Sequence, residues 1–264
     1  MRICLDAGHY GKYNQSPVNK AYYESVAMLK LTKYQKEYLE QYKDVEVILT
    51  RTDERDMGLY DRGYKAKGCK LFLSNHSNAC GTESVDYPVV YGAFDNRGNA
   101  KEFGLKLSQV IQSTMKTKQA AKTATRVGDS GNNEYYGVLR GARAAGLNYY
   151  YIVEHSFHTN KAATNWLLSD ENLKKLAKAE VEAIAAYFGL VKKSAPVTPA
   201  TGDFLVTVTA DVLNVRDGAG TQYKINTTVK EGDVYTIVET SKDGKWGKLK
   251  SGAGWISLAY TTKR

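Results

Sequence analysis

Apolar and polar positions follow two rhythms along the first 190 residues. The segments 2–6, 45–49, 70–74, 85–94 and 149–153 are short runs of aliphatic, β-branched and aromatic residues, the length and composition of buried strands. Between them the apolar residues recur at helical spacing. Ala27, Leu31, Tyr34 and Tyr38 stripe the segment 24–42, 58–67 follows the capping candidates Asp53 and Asp56, and 99–115 reads as a third helix. A last helix from about Asp170 places Leu173, Leu176, Val181, Ile184 and Phe188 on one face. Strands alternating with helices predict an α/β domain with a mixed, mostly parallel sheet flanked by helices.

The rhythm breaks after residue 191. The stretch 192–203 holds Pro196 and Pro199 and no large apolar run, the composition of a linker. Beyond it, β runs at 204–215, 225–229, 233–239, 245–249 and 254–257 are separated by Gly218-Ala219-Gly220, Glu231-Gly232-Asp233 and Asp243-Gly244. No helix fits there, and a small all-β barrel is expected. The expected domains are therefore 1–191 and 204–264, joined by 192–203.

Three of the predicted strands end abruptly in polar residues of metal-binding type. Asp6-Ala7-Gly8-His9 follows the first, Asn75-His76-Ser77-Asn78 the third, and Glu154-His155-Ser156 the run of Tyr149 to Val153. Ligands of open α/β sheets collect outside the carboxyl ends of the strands, so His9, His76 and Glu154 are expected in one crevice. Imidazoles together with carboxylates point to zinc. Glu24 opens the helix that follows the first strand. An acidic residue there complements the helix dipole, yet its carboxylate also reaches the same edge. Glu154 follows an apolar strand directly, which predicts partial burial and a raised pKa. His155 and His158 form a rival pair, but an extended chain would send them to opposite faces.

Composition narrows the picture further. With 42% hydrophobic and 25% charged residues the chain of 264 reads as globular, and no apolar run approaches the roughly 20 residues that span a bilayer. The formal charge of +9 is diffuse rather than gathered in a Lys/Arg block, which argues against nucleic acid and suits an extended anionic polymer. Cys4, Cys69 and Cys80 are odd in number and form no CxxC pair, so no disulfide framework is expected. Cys4 reads as core, and Cys80 lies near enough to His76 to be weighed as a thiolate ligand. The first strand begins almost at Met1 and leaves no room for a secretory leader.

Several ordered motifs in residues 1–190 resemble those of the zinc-dependent N-acetylmuramoyl-L-alanine amidases, the type 3 family. The run Asp6-Ala7-Gly8-His9-Tyr10-Gly11 is similar to their DxGHGG, and Glu24 to their early-helix glutamate. Thr50-Arg51-Thr52-Asp53 with Leu59 and Arg62, Ser74 to Ala79, and Val138-Leu139-Arg140 followed by 153–160 match their later motifs. Departures are Tyr10 in place of a glycine, Asn75 in place of an apolar residue, and Ser156 and His158 in the last motif. The resemblance implies zinc held by His9, Glu24 and His76, with Glu154 as the catalytic carboxylate. It also implies substrate contacts at Asn78 and Arg140, and hydrolysis of the amide between N-acetylmuramic acid and L-alanine. A deacetylase or peptidase acting on wall polymers, and a non-catalytic wall-binding protein, are the alternatives.

Leu213 to Gly220, with Gly232, Trp246 and Gly254-Trp255-Ile256, resembles bacterial SH3 domains, which implies binding to bacterial peptidoglycan. Trp255 is expected in the core, with Tyr223, Trp246 and Tyr260 as candidates for an exposed groove. The combination is endolysin-like. It implies synthesis in the cytoplasm and action at the wall after holin-dependent release or lysis, without membrane insertion; a host autolysin is the alternative within the same chemistry. Oligomeric state, host and stem-peptide preference are not legible.

Overall fold

The computed structural model describes residues 1–193 and 202–264. They fall into two compact units, Met1–Lys193 and Ser194–Arg264. Most of the expected linker, 194–201, lies outside the described residues. Its first two residues belong to the first unit's own backbone pairing. Lys192 bridges Tyr42, and the Lys193 N–H donates to the Gln41 carbonyl at 2.7 Å.

In the first unit the elements run β1 (Arg2–Ala7), α1 (Glu24–Leu39), β2 (Glu46–Leu49), α2 (Leu59–Tyr64), β3 (Leu71–Asn78), β4 (Val89–Gly92), α3 (Ala100–Met115), β5 (Lys122–Thr125), α4 (Gly137–Ala144), β6 (Tyr149–Phe157), α5 (Lys161–Leu167) and α6 (Asp170–Phe188). The strand order is β2-β1-β3-β6-β4-β5. β2, β1, β3 and β6 are mutually parallel, while β4 runs antiparallel to β6. This is the mixed, mostly parallel sheet with flanking helices that the alternating pattern predicts.

Because side chains alternate across a strand, each central strand feeds two cores. Ile3, Leu5, Leu71, Leu73, Tyr151 and Val153 pack with α1, α3 and α6. Cys4, Phe72, Tyr150 and Ile152 pack on the other face with Val138, Leu139 and Ala142 of α4. Two-sided burial explains why these strands read as continuous apolar runs rather than alternating ones.

The expected lengths of β3, β6 and β4 need correction. β3 and β6 run four residues past the predicted 74 and 153, so His76 and Glu154 lie inside strands rather than just after them. The polar residues of these extensions stay in the ladder because their side chains have buried partners; Asn75, Ser77, His155 and Ser156 are all buried. β4 in turn is shorter than 85–94, beginning after Pro88.

β5, α4 and α5 carry little signal. Helix α4 holds two glycines in eight residues, which lowers its helix propensity. The crossing with α2 requires Gly141: a Cβ there would lie 1.9 Å from the Tyr60 carbonyl oxygen, and one at Gly63 would lie 1.9 Å from that of Val138.

The second unit is an antiparallel sheet of β7 (Phe204–Val208), β8 (Val212–Arg216), β9 (Ile225–Lys230), β10 (Val234–Thr240), β11 (Trp246–Leu249), β12 (Trp255–Ser257) and β13 (Thr261–Lys263). Its order is β13-β7-β10-β11-β12-β8-β9. Val206, Val208, Leu213, Val215, Ile237, Leu249 and Ile256 fill the core. Trp255 is not among them. It is half-buried, with the Lys248 ammonium 5.8 Å from its ring centre. Trp246 and Tyr260, by contrast, line a cavity of about 420 Å³ with Leu213 and Asn214.

Candidate metal centre

Strand order brings β1, β3 and β6 side by side, and their carboxyl ends deliver the candidate residues to one edge. His76 and Glu154 are register partners across β3 and β6. Glu24 begins α1, and His9 follows the turn after β1. The ligand atoms of His9, Glu24 and His76 all lie within 4.8 Å of one another, the only such group of three or more among the described residues. His76 Nδ1 is 2.8 Å from Glu24 Oε1, and His9 Nε2 is 3.3 Å from Glu24 Oε2. Two imidazoles and one carboxylate are a donor set that would suit zinc.

Electrostatics follow from this packing. Burial alone would raise the Glu24 carboxyl, but hydrogen bonds from His76 and His9 outweigh it and hold the group well below the usual carboxylate range. Burial likewise works against charge on His76, while Glu24 pulls the imidazole up to about 9. Glu154 shifts upward, to about 7, because burial and the charge of Glu24 outweigh the attraction of His76 and His155. Its Oε2 is buried with no hydrogen-bond partner among the described residues. An unsatisfied buried carboxylate oxygen is costly, and this one belongs to the side chain beside the three donors.

The turn carrying His9 is held from beneath. His9 has φ of 58°, a left-handed conformation uncommon for a residue with a Cβ. Arg62, which is buried, donates to the His9 carbonyl at 2.7 Å and the Ala7 carbonyl at 2.9 Å, and pairs with Asp6 at 3.0 Å. Arg51 donates to the carbonyls of Ala7 at 2.9 Å, Gly8 at 3.0 Å and Ser25 at 2.8 Å. Gly8 itself has to lack a side chain, since a Cβ would come within 2.4 Å of the His76 ring. Sequence reasoning quoted both arginines without assigning them a task. It missed Asn14, whose Nδ2 donates to Glu24 Oε2 at 2.7 Å and lies 3.1 Å from His9 Nε2.

The remaining candidates separate. A bulge at Ser156, with φ of 60°, adds a residue to β6 opposite β3 and breaks the alternation on which the opposite-face reading of His155 and His158 rested. The two histidines nonetheless take different partners. His155 bonds Glu180 and the His76 carbonyl, whereas His158 Nδ1 donates to the Ser77 carbonyl at 2.7 Å and lies 3.8 Å from Glu24 Oε2. Cys80 stands outside the donor group, its thiol donating to the Thr82 carbonyl. Asn78 Oδ1 accepts from the Ala79 N–H, and Arg140 donates to the carbonyls of Glu134 and Tyr135 at 3.1 and 2.7 Å.

Comparison with known proteins identifies the family of each unit. Residues 3–186 match the N-acetylmuramoyl-L-alanine amidase family model, and residues 211–262 match the bacterial SH3 domain model. The chain belongs to the N-acetylmuramoyl-L-alanine amidase family, a family of peptidoglycan hydrolases, and carries a bacterial SH3 domain after the amidase region. Among solved structures, the N-acetylmuramoyl-L-alanine amidase from Clostridium difficile 630 is 21% identical at a TM-score of 0.61, covering 71% of this chain and 96% of that one. The amidase AmiC2 of Nostoc punctiforme is 22% identical at 0.60, covering 72% and 97%. Cwp6 from Clostridium difficile is 26% identical at 0.61; the match covers 70% of this chain and 29% of that longer one. No curated protein matches the chain.

Proposed function

We propose that residues 1–191 cleave the amide between N-acetylmuramic acid and L-alanine using zinc held by His9, Glu24 and His76, with Glu154 as the proton carrier. The observation that supports this most is the convergence of three metal-binding side chains beside a carboxyl whose buried oxygen has no partner among the described residues. A zinc ion bound there supplies a Lewis acid that polarises a carbonyl and lowers the pKa of water to about 7.

The chain's own residues supply the rest. Glu154, beside the three donors and with a buried oxygen left without a partner among the described residues, takes a proton from water and returns one to the leaving amine. Asn14 holds Glu24 by donating to its Oε2, and Arg51 and Arg62 hold the turn that presents His9. Asn78, two residues beyond His76 on β3, and the exposed Arg140 are substrate contacts in this reading. The SH3 unit, 204–264, holds the enzyme to peptidoglycan, with 192–203 as the connection. Action at the wall after release from the cytoplasm, as in an endolysin, is part of the same proposal.

Metal dependence is the direct test. A chelator should abolish wall lysis and zinc should restore it. Full activity in protein verified as metal-free would remove zinc from the mechanism.

A further inference from the structure

The chain exposes two tyrosine rings beside the metal centre. Tyr13 stacks on the His9 ring, with centroids 5.0 Å apart and planes at 17°, and Tyr10 lies against Tyr13 at 5.5 Å. Both are exposed, Tyr10 by 41% and Tyr13 by 46%. The backbone beneath them is pinned. Ser25 Oγ accepts from the Tyr13 N–H at 2.8 Å and donates to the Gly11 carbonyl at 2.7 Å, and the Gly11 N–H donates to the Glu54 carbonyl at 3.1 Å. Aromatic rings held in solvent on an ordered backbone mark a recognition surface. Tyr10, moreover, stands where the resembled motif has glycine, so the platform is a property of this chain.

We propose that Tyr10 and Tyr13 form a platform on which pyranose rings of the glycan strand pack next to the scissile amide. The proposal rests on the amidase reading above, because it needs a substrate with a sugar on one side of the bond and a peptide on the other. The sheet order assigns the sides. His9 follows β1, while β4 lies beyond β6 on the far side of His76 and Glu154. On that far flank Tyr91 of β4 packs on Tyr136 at 5.3 Å, Tyr136 on Tyr135 at 5.1 Å, and the exposed Arg126 guanidinium covers Tyr135 at 3.5 Å. A guanidinium suits the carboxylate groups of a peptide. The far flank has tyrosines too, but Arg126 covers the exposed Tyr135, whereas Tyr10 and Tyr13 carry no guanidinium among the described residues. Their faces match the C–H faces of a sugar ring and keep the phenol hydroxyls at hand for its substituents.

The test compares two substrates bearing the same stem peptide, one on a single N-acetylmuramic acid and one on a longer glycan fragment, with wild type and Tyr10→Ala. Wild type should have the lower KM on the longer glycan. Tyr10→Ala should raise that KM about tenfold, leave kcat and zinc content unchanged, and leave the single-sugar KM within about twofold. Tyr10→Trp should restore the preference. An effect of equal size on both substrates, or none, overturns the platform, as does a Tyr10→Ala defect that follows peptide length instead of glycan length. If wild type releases no L-alanine amino termini from either substrate, the amidase reading has failed, which is a different result.

Discussion

Glu154 sits directly across from His76 in the register of two parallel strands, on the same face of the sheet. Neighbouring parallel strands hold their partners at a fixed spacing, so the proposed proton carrier is tied by backbone to a proposed metal ligand. Glu154→Gln keeps the shape and removes the proton chemistry. The variant should bind zinc with wild-type stoichiometry and lose at least about 100-fold in kcat. Elemental analysis alongside initial rates checks both, and near-normal turnover would take the role away from Glu154.

Arg62 touches no candidate ligand side chain, yet its removal should reach the metal. Arg62→Ala strips Asp6 of a buried ion pair and the His9 carbonyl of its donor. Breaking a buried pair from one side costs about 3–5 kcal/mol. The expected outcome is a lower urea midpoint with an unchanged slope, together with weaker zinc retention in a chelator competition. Arg62→Lys should rescue only part of this, because one ammonium cannot replace the guanidinium fork.

A second buried charge pair lies under the same edge. His155 is within 2.8 Å of Glu180 at Nε2 and 2.9 Å of the His76 carbonyl at Nδ1, and although burial works against charge on the ring, Glu180 and that carbonyl raise its pKa above the usual histidine range. Gln35 joins Glu180 at 2.9 Å and Asn75 at 2.7 Å. His155→Leu should destabilise strongly by leaving the Glu180 carboxylate unpaired, and His155→Leu with Glu180→Leu should be less unstable than the two single effects added. A denaturation double-mutant cycle reads the difference, and additivity would show the pair to be uncoupled.

Acid should weaken the turn between β4 and α3. Arg97 at 2.9 Å and Arg143 at 3.0 Å hold the Asp95 carboxyl well below the ordinary carboxylate range. A depressed folded-state pKa contributes stability that is present above the unfolded value near 4 and lost as pH falls below it. Asp95→Asn should therefore cost up to about 1 kcal/mol at pH 7, given the partial exposure of the pair. The deficit should shrink in unfolding measured at progressively lower pH below 4, and a deficit constant with pH would point to packing instead.

The parts of this molecule legible in the sequence are those set by local pattern. Tyr149 to Val153 announces a buried strand because both its faces meet apolar helices, and the stripe from Leu173 to Phe188 announces α6. The extension of β3 through His76 was not legible, since its ladder continues over polar residues whose partners come from distant segments: Asn75 meets Thr32 and Gln35, and Ser77 meets Tyr22. Helix α4 hid behind glycines that only its crossing with α2 explains. At the centre, His9 and His76 stood out at strand ends. The helix position of Glu24 brings its carboxylate to the same edge, but its place as a ligand rests on the family resemblance, because an acid at a helix start has an ordinary explanation. The supporting arginines act through backbone carbonyls, which no side-chain pattern reveals.

The central claim concerns one bond, and mass spectrometry of digested bacterial wall reads it. The account predicts newly exposed L-alanine amino termini on released stem peptides, with glycan strands and their acetyl groups intact. Freed acetate, cleaved peptides that keep their muramic acid, or wall left uncut by zinc-loaded protein would contradict it.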